Sequence, residues 1–164
     1  MKYKNKQINQ INQIIRTCLS DIKMHSPSAE RLLLGTGAVE SNYLYLRQWG
    51  NNYARSYWQI EPPTCLDNIN NYLKFRPKRL SRIAEVCMVT DGVILGLNED
   101  TASTLLEINL YFAICMARLK YWRYPSPIPD PDDLEGLGHY WLKVYNAGGK
   151  GTIEKWMEAQ EQIK

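Results

Sequence analysis

The run Leu32-Leu33-Leu34-Gly35-Thr36-Gly37-Ala38-Val39 is apolar on nearly every side of a helix, and this constrains the whole chain. Ser26-Pro27 ahead of it offers an N-cap followed by a proline at the first helical position, so a helix starts there and runs to about residue 42. A helix that is hydrophobic almost all round has to be enclosed by other elements. It is therefore the expected centre of the fold. The two glycines inside it cost about 1 kcal/mol each relative to alanine, which predicts close approach by another backbone.

The flanking segments supply the enclosure. Ile8, Ile11, Ile15, Leu19 and Ile22 recur at three- and four-residue steps, with Ile14 and Cys18 widening the stripe, which predicts an amphipathic helix over 6–23. Over 43–61 the helical period disappears. Gly50-Asn51-Asn52 is a turn signal between Tyr- and Trp-rich stretches, and a small irregular β-hairpin is expected there. Pro62-Pro63-Thr64 reads as a helix entry with Thr64 and Asp67 as caps, and Pro77 starts a further helix to about Met88. Asp91-Gly92 reads as a turn. One long helix is expected after Asn98, with Leu105, Ile108, Phe112, Cys115 and Leu119 on its stripe. Prolines at 125, 127, 129 and 131 make 124–133 an extended connection, Asp130 or Asp132 opens a helix that ends at Gly148-Gly149, and Thr152 starts a last one. The expectation is one mainly α domain (α+β through its hairpin) over 1–164, without internal repeats.

Composition removes several functions. The 164 residues carry 20 Lys and Arg against 17 Asp and Glu, a net charge of +3 that requires no polyanionic partner. Basic residues are scattered, and the run Arg76-Pro77-Lys78-Arg79 with Arg82 reads as a solvated helix face rather than a nucleic-acid surface. The longest apolar run, 110–119, is too short for a membrane span, and 1–13 lacks the continuous apolar core of a secretory signal. Cys18, Cys65, Cys87 and Cys115 show no paired spacing and are expected to be reduced core residues. With His25 and His139 far apart, neither a metal site nor a cofactor is expected. The 11 Tyr and 5 Trp against 2 Phe suit sugar faces and wet clefts, and they also suit the core and its rim, which composition alone favours.

Glu40 is the most informative charged residue. Seven positions after Leu33, it falls within about 20° of the apolar stripe. A carboxylate aimed into a packing face is costly, and desolvation raises its pKa towards that of a general acid working near neutral pH. At a helix end it can also bend out to solvent.

Around it stand three short strings: Gly37-Ala38-Val39-Glu40-Ser41, then Ser56-Tyr57-Trp58-Gln59-Ile60-Glu61-Pro62-Pro63-Thr64, and much later Tyr145-Asn146-Ala147-Gly148. In this order they resemble the lytic transglycosylase and goose-type lysozyme group, the SLT-type domain. There a helix ends in Glu-Ser, a small β-region leads to a Gly-Leu-Met-Gln-like segment and Gln-Ile-x-Pro-x-Thr, and a later helix ends in Ala-Tyr-Asn-Ala-Gly. Asn109-Leu110 is similar to that family's third motif, and the resemblance covers about residues 28 to 155. Ser56-Tyr57-Trp58 departs from it, placing side chains where the family has a glycine.

The resemblance implies a lysozyme-like fold with the hairpin beside an active-site cleft. It implies cleavage of peptidoglycan glycan strands between N-acetylmuramic acid and N-acetylglucosamine. Glu40 is then the catalytic acid and base, with Ser41, Tyr57 and Gln59 on the cleft as substrate-binding residues, Tyr145 orienting the glutamate and Asn146 shaping the same wall. Glu61 is the candidate second carboxylate, although a charge in front of a helix start also explains it. Tyr43, Tyr45, Trp49, Tyr53 and Trp58 are further candidates for sugar stacking. Without a recognisable export signal, the expectation is a phage-encoded enzyme, either virion-associated and in contact with tail proteins or held in the host cytoplasm until lysis. The alternative from another class is an inactive lysozyme-like structural protein of a virion or secretion system.

Overall fold

In the computed structural model, which describes residues 2–163, the helix α1 (Lys2–Asp21) packs across α2 (Pro27–Ser41) and leads into a mainly helical fold. The isoleucine stripe of α1 is the reason: Ile8, Ile11, Ile15, Leu19 and Ile22 are all buried. Each such side chain removed from water contributes about 1.5–3 kcal/mol. Ser26 accepts a hydrogen bond from the Ala29 N–H at the start of α2, ahead of Pro27. The helices α3 (Pro62–Asn70) and α4 (Pro77–Val86) also begin with proline at the first position, where no N–H is needed. Then come α5 (Asp91–Leu95), α6 (Glu99–Ile108), α7 (Leu110–Trp122), α8 (Leu134–Val144) and α9 (Ile153–Glu161).

As its composition requires, α2 is central: α1, α7, α8 and α9 all pack on it. Its glycines are closely approached, but by aromatic rings rather than backbone. A Cβ on Gly35 would lie 2.5 Å from the Trp156 ring of α9, and one on Gly37 would lie 2.5 Å from the Tyr43 ring. A second enclosed helix is α7, buried continuously over 112–119. No single helix among the described residues is long and apolar enough to cross a membrane.

Several local expectations are corrected. The long helix after Asn98 is two helices meeting at 112°, because Asn109 leaves helical geometry and its side chain accepts from the Phe112 N–H to cap α7. Ile108, counted on the stripe, is consequently 74% exposed. Asp91-Gly92 is not a turn but the first turn of α5, capped by Thr90. Glu61, not Thr64 or Asp67, stands at the cap of α3, and Asp67 instead pairs with Asn71 and Arg123. Asp133 caps α8, which ends at Val144, ahead of the glycine pair.

The expected hairpin does not form strands. Residues 43–61 make only the isolated antiparallel bridges Arg47 to Arg55 and Arg55 to Ile60. The cause is the backbone: Tyr43, Asn52, Ser56 and Gln59 all hold positive φ, which interrupts any extended run. The segment is fixed from outside instead. Arg47 makes a two-pronged pair with Glu107 of α6 at 2.8 and 2.9 Å, and the Trp58 indole and Tyr43 hydroxyl donate to the Leu33 and Leu34 carbonyls of α2.

Candidate active site

Glu40 occupies the last turn of α2, immediately before the chain reverses. Asn42 takes left-handed geometry at φ 51 and returns its N–H to the Ala38 carbonyl, and Tyr43 follows at φ 56. This sharp exit turns 43–61 back over the helix end and leaves Glu40 half-buried beneath it. From α8, the Trp141 indole N–H donates to Glu40 Oε1 at 2.9 Å. Burial pushes the Glu40 carboxyl above its ordinary range, and it outweighs the Trp141 hydrogen bond, the Lys120 charge and the Asn146 side chain, which all pull the other way. A carboxylic acid in that state can hold its proton at a pH where an exposed one has lost it.

Two hollows meet at this carboxyl. One, of about 500 Å³, runs past Tyr45, Gln48 and Trp49 towards Lys155 and Glu158 of α9. The other, of about 570 Å³, runs past Glu61, Thr64 and Lys120 to Tyr145, Asn146 and Gly148. Glu40, Gln48 and Gln59 line both. The result is a polar groove with a half-buried carboxyl of raised pKa in its middle.

The other sequence-derived candidates divide. Gln59 reaches the groove, held at φ 46 with its amide donating to the Ser56 carbonyl at 2.7 Å. Ser56, where the resembled family has glycine, has φ 64 and is fully buried, so this serine takes the backbone form that glycine favours. Ser41 lines the first hollow, but it is 4% exposed and its hydroxyl is within reach of the Tyr57 and Gly37 carbonyls and accepts from the Tyr43 N–H. Tyr57 lines neither hollow and packs edge-on against Tyr43 at 5.4 Å.

Tyr145 lines the second hollow, yet its hydroxyl donates to the Trp58 carbonyl at 2.7 Å rather than to Glu40. The contact expected of Tyr145 is made by Trp141. Asn146 lines the same wall, and its Oδ1 accepts the Gly151 N–H at 2.9 Å, bracing the loop after α8. Glu61 is exposed, at the cap of α3 and on the same hollow as Glu40. Of the aromatics, Trp49 stands 83% exposed on the rim with Tyr45 beside it at 5.7 Å, whereas Tyr43 and Trp58 are core.

Sequence reasoning missed Trp141 and Lys120. Trp141 carried a signal, since it lies one helical turn before Tyr145 and so shares its face. Lys120 carried none: it sits at the end of a buried helix, and only the fold brings its ammonium to the Tyr145 carbonyl at 2.7 Å, on the same hollow as Glu40 and Glu61. No group of three or more His, Cys, Asp or Glu side chains able to hold a metal ion occurs among the described residues. No family model, curated protein or solved structure matches the chain.

Proposed function

We propose that this chain is a lysozyme-like enzyme that cleaves peptidoglycan glycan strands between N-acetylmuramic acid and N-acetylglucosamine, with Glu40 as general acid and then base. The observation that carries the reading is the placement of Glu40. A half-buried carboxyl with raised pKa lies where two polar hollows join, so a polymer laid along the groove presents an internal linkage to it. Gln59 and Asn146 offer amide groups beside the acid for sugar substituents, and the exposed Trp49 offers a ring face at one end. The left-handed backbone at Ser56 supports the family reading of this segment, because it removes the objection that a side chain stands where glycine is usual.

Glu40 protonates the glycosidic oxygen as the bond to the anomeric carbon breaks. The resulting carboxylate is met by the Trp141 N–H and the Lys120 charge. It then removes a proton from the attacking hydroxyl, either the sugar's own 6-hydroxyl or a water. The test is mass spectrometry of soluble fragments released from purified peptidoglycan by the wild-type protein and by Glu40→Gln. Disaccharide-peptides released by the first and not by the second support the reading; no release by the wild type overturns it.

A further inference from the structure

Arg118 is a buried cation for which the described residues supply no opposite charge. It lies on α7, is 5% exposed, and forms no ion pair. Its Nε–H donates to the Met24 carbonyl at 3.1 Å, and its other N–H groups meet no acceptor among the described residues. The guanidinium sits 4.9 Å from the centre of the Trp122 ring, and Arg79 sits 4.7 Å from the same ring, so a second cation shares that ring and adds repulsion. Burial pulls the Arg118 pKa down to about 10, with Arg79 acting in the same direction against a partial offset from Tyr140 and Tyr72. Such a group is expensive to keep unless something of opposite charge can reach it.

Something can. Arg118 lines a hollow of about 250 Å³ whose wall also holds Ser26 and Ser28, at the start of the fifteen-residue α2. Ser26 Oγ accepts the Ala29 N–H at 3.1 Å, which leaves its hydroxyl proton to donate elsewhere, and the Ser28 N–H has no acceptor among the described residues. The positive end of the α2 dipole adds to the Arg118 charge. Glu30 in the first turn does not compete. It does not line the hollow, and its carboxylate is held by Arg16 at 2.8 and 2.9 Å and by His25 at 2.9 Å.

We propose that this hollow is a binding site for a phosphate group, held by the Arg118 guanidinium, the hydroxyls of Ser26 and Ser28, and the first turn of α2. Guanidinium, hydroxyl and backbone N–H donors all belong to residues that line it, a set that can surround a tetrahedral anion. The site is separate from the groove at Glu40. Tyr140 lines the hollow, Tyr145 lines the groove, and the Tyr121 ring stacks between them at 5.9 and 5.2 Å. The phosphate is therefore not at the bond being cut; it is either free in solution or carried on a polymer alongside the glycan.

The test measures binding and not cleavage, so its outcome is independent of the reading of Glu40. Inorganic phosphate is titrated into the intact chain at pH 7 and constant ionic strength, with chloride as control, and followed by calorimetry and by thermal melting. A saturable phosphate signal in the wild type that weakens by at least about tenfold in Arg118→Met supports the site. Tighter binding of a glycerol-phosphate polymer than of inorganic phosphate assigns the polymer as the source, and equal or weaker binding assigns the free ion. No saturable signal in the wild type, or an unchanged one in Arg118→Met, overturns the proposal. Should that variant not fold, Ser28→Glu replaces it: a carboxylate on the wall occupies the donors, and a phosphate response that persists overturns the proposal equally.

Discussion

The Trp141 indole N–H meets Glu40 Oε1 at 2.9 Å, which joins the body of α8 to the last turn of α2 at the carboxyl itself. Trp141 is in turn stacked on Trp156 at 5.7 Å, and Trp156 closes against Gly35 of α2. The Glu40 carboxyl is thus fixed by packing that begins one and a half turns away on its own helix. Trp141→Phe keeps much of the ring contact and removes the N–H. That hydrogen bond lowers the Glu40 pKa, so its loss raises it further, and the alkaline limb of the rate–pH profile moves upward. Turnover falls about tenfold or more with the loss of a bond to a charged group. A limb that stays put or moves down would show that Trp141 does not act on the acid.

Glu40→Gln separates activity from stability. Glutamine fills the same space and cannot donate the proton, so glycan cleavage drops by at least about 10²-fold. Stability moves the other way. The folded-state pKa of Glu40 is raised, so the folded state is favoured while the group is protonated, and that advantage is lost as pH rises through the folded value. Melting curves of the two proteins should coincide at pH 4, and the variant should be the more stable at pH 7 and above. A variant less stable at pH 7 would mean that the ionised carboxylate is well compensated.

Glu30 shows the opposite sign. Burial alone would raise its pKa, but the hydrogen bonds from Arg16 and His25 outweigh burial and hold it below the ordinary range. A depressed acid contributes stability above its unfolded value that disappears as pH falls through the folded one. Glu30→Gln should cost about 1–3 kcal/mol at pH 7, measured by urea unfolding, and the gap should close below the carboxylate range. A gap that is constant with pH would assign the effect to packing.

Much of this arrangement was legible in the residues. The periodicity of Ile8 to Ile22 and the enclosed run before Glu40 placed α1 and α2, and proline at the first helical position marked α2, α3 and α4. The break at Asn109 was hidden because both sides carry a helical period, and a side-chain cap inside a periodic run leaves no compositional trace. The loop over 43–61 was misread for a related reason. Its turn signal at Gly50-Asn51-Asn52 between Tyr- and Trp-rich stretches reads as a hairpin, whereas positive φ at Ser56 and Gln59 depends on contacts made elsewhere, with Leu46 and Tyr45. Lys120 reaches the groove only through the packing of α7, which sequence spacing does not encode.

The glycines of the chain should respond differently to alanine. At Gly35 and Gly37 the added Cβ meets the Trp156 and Tyr43 rings at 2.5 Å, and both rings are buried and hydrogen-bonded. Overpacking there costs about 1–3 kcal/mol and exceeds the gain of about 1 kcal/mol in helix propensity. At Gly92 in α5 the nearest atom is Thr90 Oγ1 at 3.8 Å, an ordinary contact, so Gly92→Ala should stabilise by about 0.4–1 kcal/mol. Thermal melting of the three variants checks the ordering, and a stabilised Gly35→Ala would contradict the close packing of α9 on α2.

The form of the product follows from the carboxylates of the groove. A hydrolase needs a second carboxylate to direct water or to attack, whereas a transglycosylase needs one group that first gives a proton and then takes one. Glu61 shares the hollow with Glu40, but it is exposed, at the cap of α3, and makes no side-chain hydrogen bond there. No hydrogen bond among the described residues holds its carboxylate in place, while Glu40 is fixed by Trp141. The product should therefore carry a 1,6-anhydromuramic end, lighter by one water than the hydrolytic fragment, and a mass spectrum distinguishes the two. Glu61→Gln should lower turnover by no more than about fivefold, the worth of a charge at a helix start. Reducing ends in the wild-type digest together with loss of turnover in Glu61→Gln would make Glu61 a catalytic partner and the chain a two-carboxylate lysozyme. Lys120, whose charge lowers the Glu40 pKa, gives a further handle on the same question. Lys120→Met leaves Glu40 with a still higher pKa, so a one-carboxylate enzyme keeps its anhydro product and shifts its alkaline limb upward, in the same sense as Trp141→Phe.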